Sequence, residues 1–186
     1  MRVIAGTAKR TNLTAPAGLN TRPTSDRAKE NLFNIISAEV RGARFLDLFC
    51  GSGAIGIEAL SRGAAQAVFV DNAPPALAAV RENLAKTRLF HVAEILEMSA
   101  ENSIQKLAKS SRQFDIIYLD PPYDSELLAR TSGLLCDGGL LSADGMIIAE
   151  TDSKPEGGII PLFPGLTMTD TREYGRTKFL FFRGCK

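Results

Sequence analysis

The sequence predicts an α/β fold, a doubly wound and mostly parallel seven-stranded sheet that ends in an antiparallel hairpin. Three observations carry that expectation. Apolar runs alternate with helical patterns as far as Met146-Ile147-Ile148-Ala149-Glu150, a glycine turn follows the first of those runs, and Tyr174-Gly175-Arg176 joins two β-rich runs near the end.

The elements follow in order. Residues 1–25 read as a short basic extension, because residues 1–30 hold Arg2, Lys9, Arg10, Arg22, Arg27 and Lys29 against only Asp26 and Glu30. Thr24 or Ser25 caps a helix that begins there, since a hydroxyl at that position accepts from first-turn N–H groups. Phe45-Leu46-Asp47-Leu48-Phe49-Cys50 gives a first strand at 45–50, and the next helix turns Ile57, Ala59 and Leu60 to the sheet. A second strand spans 67–71, after which Pro74-Pro75 opens a helix, as proline does in a first turn. Runs at 92–97, 115–119 and 145–150 complete five crossover strands. Pro155, Gly157, Gly158, Pro161 and Pro164 then mark a loop, and runs 166–173 and 177–183 form the hairpin. With 186 residues and no internal repeat, residues 1–186 are expected to form one domain.

Chemistry concentrates at two of the predicted strand ends. Gly51, Gly53 and Gly56 fit G-x-G-x-x-G, which permits a tight turn, close ligand approach and close helix-strand packing. Asp71 follows Gly51 by 20 residues, where an acid grips a ribose diol. A dinucleotide enzyme fits the same arithmetic, so Asp47 is the discriminator. Its carboxylate lies where a pyrophosphate would sit, and phosphate sites favour N–H donors and cations. A phosphate-free, cationic cofactor with a ribose, S-adenosylmethionine, fits better. At the second strand end, Asp120-Pro121-Pro122-Tyr123 follows the run 114–119. Two prolines cannot continue the ladder, so an acid and carbonyls stand as acceptors beside an aromatic ring. That set suits a planar group bearing NH2, with Tyr123 stacking on it for about 1–3 kcal/mol.

The glycine loop, Asp71 and Asp120-Pro121-Pro122-Tyr123 in that order resemble the class I amino-methyltransferases. Thr21-Arg22-Pro23-Thr24-Ser25-Asp26-Arg27, Tyr174-Gly175-Arg176-Thr177-Lys178 and the opening Met1-Arg2-Val3-Ile4-Ala5-Gly6 narrow the resemblance to the bacterial 16S ribosomal RNA guanine-N2 methyltransferases of the RsmD type, across essentially the whole chain. The resemblance implies a Rossmann-like fold and methyl transfer from S-adenosylmethionine straight to the N2 amine of a flipped guanine, with no metal. Asp120, Pro121, Pro122 and Tyr123 form the expected catalytic set. The expected cofactor set is Asp47, Phe49, Gly51, Gly53, Asp71, Asn72, Ser99 and Thr24. Ser99 stands where the family usually carries Asp, so it brings an acceptor without charge. Arg10, Arg22 and Arg27 are the expected RNA contacts, and Arg22 and Thr24 stand where either cofactor or RNA could be held. The implied partner is 16S ribosomal RNA in an assembled or assembling small subunit.

Composition narrows the function classes. No apolar stretch approaches the ~20 residues of a membrane helix, and the N-terminus lacks the apolar run of a signal peptide, so a cytoplasmic protein is expected. Cys50, Cys136 and Cys185 lack the C-x-x-C spacing of zinc or redox sites and read as reduced and structural. His91, the one histidine, reads as a loop or strand-edge residue. A DNA adenine-N6 or cytosine-N4 methyltransferase shares the tetrad, but little chain remains for a groove-reading domain. A glutamine methyltransferase usually opens the tetrad with Asn. A non-enzymatic module leaves the coincidence of motifs unexplained.

Overall fold

A computed structural model describes residues 1–17, 24–121, 125–153 and 163–184, leaving aside the side chains of 125 and 126. Seven strands form one sheet: β1 (Arg44–Leu48), β2 (Gln66–Asp71), β3 (Ala93–Glu97), β4 (Phe114–Leu119), β5 (Leu141–Asp152), β6 (Leu166–Tyr174) and β7 (Thr177–Gly184). Their order is β3-β2-β1-β4-β5-β7-β6. β1 through β5 pair in parallel, and β7 pairs antiparallel with both β5 and β6. The helices are α1 (Asp26–Ile35), α2 (Ser37–Val40), α3 (Ala54–Ser61), α4 (Pro74–Thr87), α5 (Ala100–Lys109) and α6 (Ser125–Asp137).

The chain leaves β1 toward β2 on one side and returns to β4 on the other, so the strand order reverses between β1 and β4. Ligands of open α/β sheets bind outside the carboxyl ends of the strands at such a reversal. The sheet has an apolar cluster on each face: Phe45, Phe69, Ile116, Tyr118, Ile148 and Phe179 belong to one, Leu46, Val68, Ile117, Ile147 and Leu180 to the other. This alternation is the period of two that a strand buried on both faces must show.

Three sequence expectations change in detail. The fifth strand begins at Leu141 and not at 145, because the pairing to β4 shifts register between Phe114 and Ile116 and so absorbs the extra residues ahead of Met146. His91 lies, exposed, in a 3₁₀ turn, Phe90–Val92, so β3 starts at Ala93 and not at 92. Third, the basic N-terminal segment is docked, with Val3, Ala8 and Leu13 buried. Glu58 of α3, itself fully buried, accepts the N–H groups of Ile4 and Ala5 at 2.8 and 3.0 Å and the Arg62 guanidinium at 2.7 Å. Lys29, also buried, donates to the Arg2 carbonyl at 2.6 Å and lies 3.7 Å from Glu58. A buried carboxylate needs this many donors, since removing one partner of such a set typically costs about 3–5 kcal/mol. Among the described residues, no helix is long and apolar enough to cross a membrane.

Candidate active site

The row Val70, Leu48, Leu119 and Ala149 is the last one paired across β2, β1, β4 and β5. One residue further along these strands stand Asp71, Phe49, Asp120 and Glu150. Three of the four are acids, on the sheet face that also carries Asp47 one pleat below, because successive side chains alternate. The carboxyl ends of the strands therefore gather acidic side chains at the point of reversal.

Between β1 and α3 the backbone turns through left-handed conformations at Phe49 (φ 62°), Gly51 (φ 53°) and Gly53 (φ 75°). A side chain added at Gly51 would meet nothing within 4 Å, which leaves open space over the loop, whereas one at Gly56 would lie 2.4 Å from the Phe69 ring and 3.1 Å from Asp47 Oδ2. The loop residue leaves room for a ligand, and the helix residue permits close packing of α3 on the sheet. Those are two of the roles the spacing predicts.

Asp71, half-buried, spends both oxygens on backbone: Oδ2 accepts the Gly51 N–H and Oδ1 the Ala73 N–H, each at 2.9 Å. Each carboxylate oxygen has a second lone pair, so it can still accept a diol while it fixes the loop. Asn72 stands exposed beside it. Asp47 is buried, and its Oδ2 accepts the Gly56 N–H at 2.9 Å. Burial pushes its carboxyl up to about 7, Asp71 and Glu150 push the same way, and the Gly56 N–H opposes them. Asp47 thus anchors the first turn of α3, a task its spacing does not announce. Ser99, half-buried, caps α5 by accepting the Asn102 N–H at 3.2 Å, and the Met98 N–H bonds the Asp71 carbonyl at 3.1 Å. Ser99 is so held beside the end of β2.

Asp120 and Pro121 are partly accessible at the end of β4. Burial around the Asp120 carboxyl raises it well above the ordinary aspartate range, and Glu150 and then Asp47 add to the rise. Pro122, Tyr123 and Arg22 lie outside the described residues, as does Cys185. Thr24 is brought not to the glycine loop but to β5, where its hydroxyl donates to Glu150 Oε2 at 2.7 Å, and Ser25 is the residue that caps α1, accepting from Ala28 at 3.1 Å. The Tyr118 hydroxyl donates to the same Glu150 oxygen, and Thr177 donates to Oε1 at 3.3 Å. Sequence reasoning passes over Glu150. Its signal is an acid that closes an apolar strand run level with Asp120.

Arg10 and Arg27 stand exposed around a groove of about 540 Å³ that Arg2 and Lys9 also line, with Asp26 and Glu30 among them. Asp26 is held by Arg2 at 3.6 Å. Among the described residues, no group of three or more His, Cys, Asp or Glu is arranged to hold a metal ion.

A model of the family described as conserved hypothetical protein 95 matches residues 1–183. The chain belongs to this family. YlbH of Bacillus subtilis is 41% identical over 184 residues, 98% of either chain. Ribosomal RNA small subunit methyltransferase D of Escherichia coli is 35% identical over 152 residues, which cover 82% of this chain and 75% of that one. Among solved structures, yhhF of Escherichia coli superposes with a TM-score of 0.84 at 29% identity, over 100% of this chain and 99% of that one. The fold is that of the class I methyltransferases, and the chain is of the RsmD type, for which S-adenosylmethionine is the expected cofactor. The residues present fit that cofactor. Open space over Gly51, a diol-competent Asp71 tied to the same loop, and carboxylates facing the strand ends suit a cationic ligand that carries a ribose and no phosphate.

Proposed function

We propose that this chain is a cytoplasmic enzyme that methylates the exocyclic N2 amine of a guanine in 16S ribosomal RNA, presented by a small ribosomal subunit. The observation that carries the reading is Asp120, an acid at the end of β4 and at the point where the strand order reverses, one strand away from the glycine loop. The Escherichia coli relative, named for methylation of small-subunit ribosomal RNA, supports the substrate class.

Bound S-adenosylmethionine supplies an electrophilic methyl group. The chain supplies the rest. The glycine loop at Gly51 and Gly53, with Asp71, holds the cofactor, and Phe49, Asn72 and Ser99 border it. The ionised Asp120 carboxylate and the Pro121 carbonyl accept the two N2–H groups of the guanine, which turns the amine lone pair away from the ring and offsets the positive charge that develops there. Tyr123 stacks on the base, and Pro122 stiffens the turn. A base must leave its stack to reach such a pocket, and the groove lined by Arg10 and Arg27 holds phosphates of the surrounding RNA, with Arg22 as a third phosphate ligand.

Nucleoside mass spectrometry of ribosomal RNA from cells lacking the protein tests the reading, followed by labelling of naked RNA and of small subunits in vitro. Loss of N2-methylguanosine from 16S RNA is expected. Loss of N6-methyladenine or N4-methylcytosine from DNA instead would transfer the reading to the DNA methyltransferases that share the tetrad.

A further inference from the structure

Ser52 stands between the left-handed glycines Gly51 and Gly53, and its carbonyl is held by the fully buried side chain of Asn83 on α4. The same amide grips the backbone of Thr14, accepting its N–H and donating to its carbonyl. Ser52 meets the N-terminal segment a second time, through a hydroxyl 3.6 Å from the Met1 sulfur. From Thr14 back to Met1 the segment is closed on itself by backbone bonds: the Leu13 N–H reaches the Met1 carbonyl at 3.1 Å, the Val3 N–H the Thr11 carbonyl at 2.9 Å, and the Arg10 N–H the Val3 carbonyl at 2.9 Å. Its turn is seated on α3, where a side chain added at Gly6 would lie 1.7 Å from the Ser61 carbonyl oxygen. Arg2, Lys9 and Arg10, which line the groove, are thus carried by one closed unit whose far end is tied to the glycine loop.

We propose that Asn83 is a positioning residue that couples the two ligands, so that a cofactor on the glycine loop and RNA phosphates in the groove each strengthen the binding of the other. The inference rests on the reading of the groove as an RNA contact. A peptide flanked by glycines has wide conformational freedom, and the first ligand to order it bears the entropic cost. Phosphates across Lys9 and Arg10 clamp the segment, which fixes Thr14, the Asn83 amide and the Ser52 carbonyl in turn. The cofactor then meets a loop that is already ordered. A bound cofactor acts in the opposite direction along the same bonds, and the two effects are equal in size by linkage.

Filter binding of 16S RNA with and without saturating S-adenosylhomocysteine tests the coupling, for wild type and Asn83→Leu, well below the melting temperature of each. In the wild type the cofactor product is expected to tighten RNA binding by about five-fold or more. In Asn83→Leu the factor should fall to about one while each ligand still binds alone, whereas a merely structural role would lower stability and leave the factor intact. A factor of one in the wild type, or the same factor in both proteins, overturns the proposal. Should the variant not fold, amide exchange of the wild type without RNA decides. S-adenosylhomocysteine is expected to slow the Arg10 and Thr14 N–H groups more than the Ala65 N–H, which bonds the Ala43 carbonyl at the amino ends of the strands and reports general stabilisation. Equal slowing overturns the coupling. A wild-type protein that binds no 16S RNA at either cofactor level sinks the RNA reading and the coupling together, while RNA bound equally well at both levels sinks the coupling alone.

Discussion

Asn83 of α4 and Thr14 of the N-terminal segment exchange two hydrogen bonds: Asn83 Oδ1 accepts the Thr14 N–H at 2.7 Å, and Asn83 Nδ2 donates to the Thr14 carbonyl at 2.9 Å. The same Nδ2 donates to the Ser52 carbonyl in the glycine loop at 2.9 Å. One fully buried side chain thus joins the segment that carries the basic groove to the loop assigned to the cofactor. Asn83→Leu keeps the volume and leaves buried backbone groups unpaired, at about 1–3 kcal/mol for each. Urea unfolding should show a loss of roughly 2–4 kcal/mol, with weaker S-adenosylhomocysteine binding because Ser52 is released. Wild-type stability would mean that water replaces the amide at no cost.

A second test concerns Asp71. Asp71→Ala should weaken S-adenosylhomocysteine binding by roughly 10- to 150-fold, the value of a hydrogen bond to a charged group. Asp71→Asn should lose less, because one oxygen can still accept the Gly51 N–H. Calorimetry separates the two variants. Equal affinities for wild type and Asp71→Ala would take Asp71 out of the site.

These two residues show what the sequence discloses and what it hides. Asp71 is legible because its spacing from Gly51 reports a covalent path of fixed length, strand to loop to helix to strand, that ends at a known height in the sheet. The seven strands and the cap at Ser25 are legible for the same reason: period, glycine and hydroxyl are local signals. Asn83, Glu58, Lys29 and Glu150 are not, because each acts on a segment more than 25 residues away. A polar residue within a helix or at a strand end reads as solvated until its partner is placed. The docking of residues 1–17 is hidden likewise, since a basic composition looks the same on a free arm and on a segment pinned through its backbone.

The groove provides a third test. Arg10→Ala with Arg27→Ala should weaken binding to 16S RNA and lower the slope of log affinity against log salt by roughly 0.7–0.9 for each phosphate that is no longer neutralised. The fold should persist, since both side chains are exposed and the docking runs through backbone groups. A slope equal to wild type would show that these arginines are solvated surface.

Asp47 makes stability depend on pH in a definite direction. Its folded carboxyl titrates at about 7 because of burial first, then Asp71 and Glu150, whereas in the unfolded chain it titrates near the ordinary ~3.9. The folded state therefore holds the proton more tightly. The stabilisation is complete below about pH 4 and is lost as pH rises through about 7. Between pH 5 and pH 8 the wild-type protein should lose roughly 2–3 kcal/mol more than Asp47→Asn, at 1.36 kcal/mol per pH unit. Urea unfolding of both proteins at the two pH values measures it, and parallel pH dependences would place the Asp47 carboxyl in an ordinary, hydrated setting.

Asp120 gives the most direct test of the chemistry. It is assigned to the target amine, while the glycine loop and Asp71 are assigned to the cofactor, so Asp120→Ala should separate the two functions. Methyl transfer is expected to fall by ~10²–10³ or more, as when one preorganised charge-stabilising group is removed, while S-adenosylhomocysteine affinity stays within about three-fold of wild type, a change under about 0.7 kcal/mol. Asp120→Asn is the sharper variant. It keeps one acceptor oxygen and deletes the charge, so a role confined to geometry would leave most of the rate, whereas a role in offsetting positive charge would not. Because burial, Glu150 and Asp47 raise the Asp120 carboxyl, the wild-type rate should climb with pH to above the ordinary aspartate range, and the residual rate of Asp120→Asn should be flat there. Single-turnover measurements with saturating cofactor across that range decide it. Full turnover in Asp120→Ala, or an acid limb that survives in Asp120→Asn, would remove Asp120 from the transfer step.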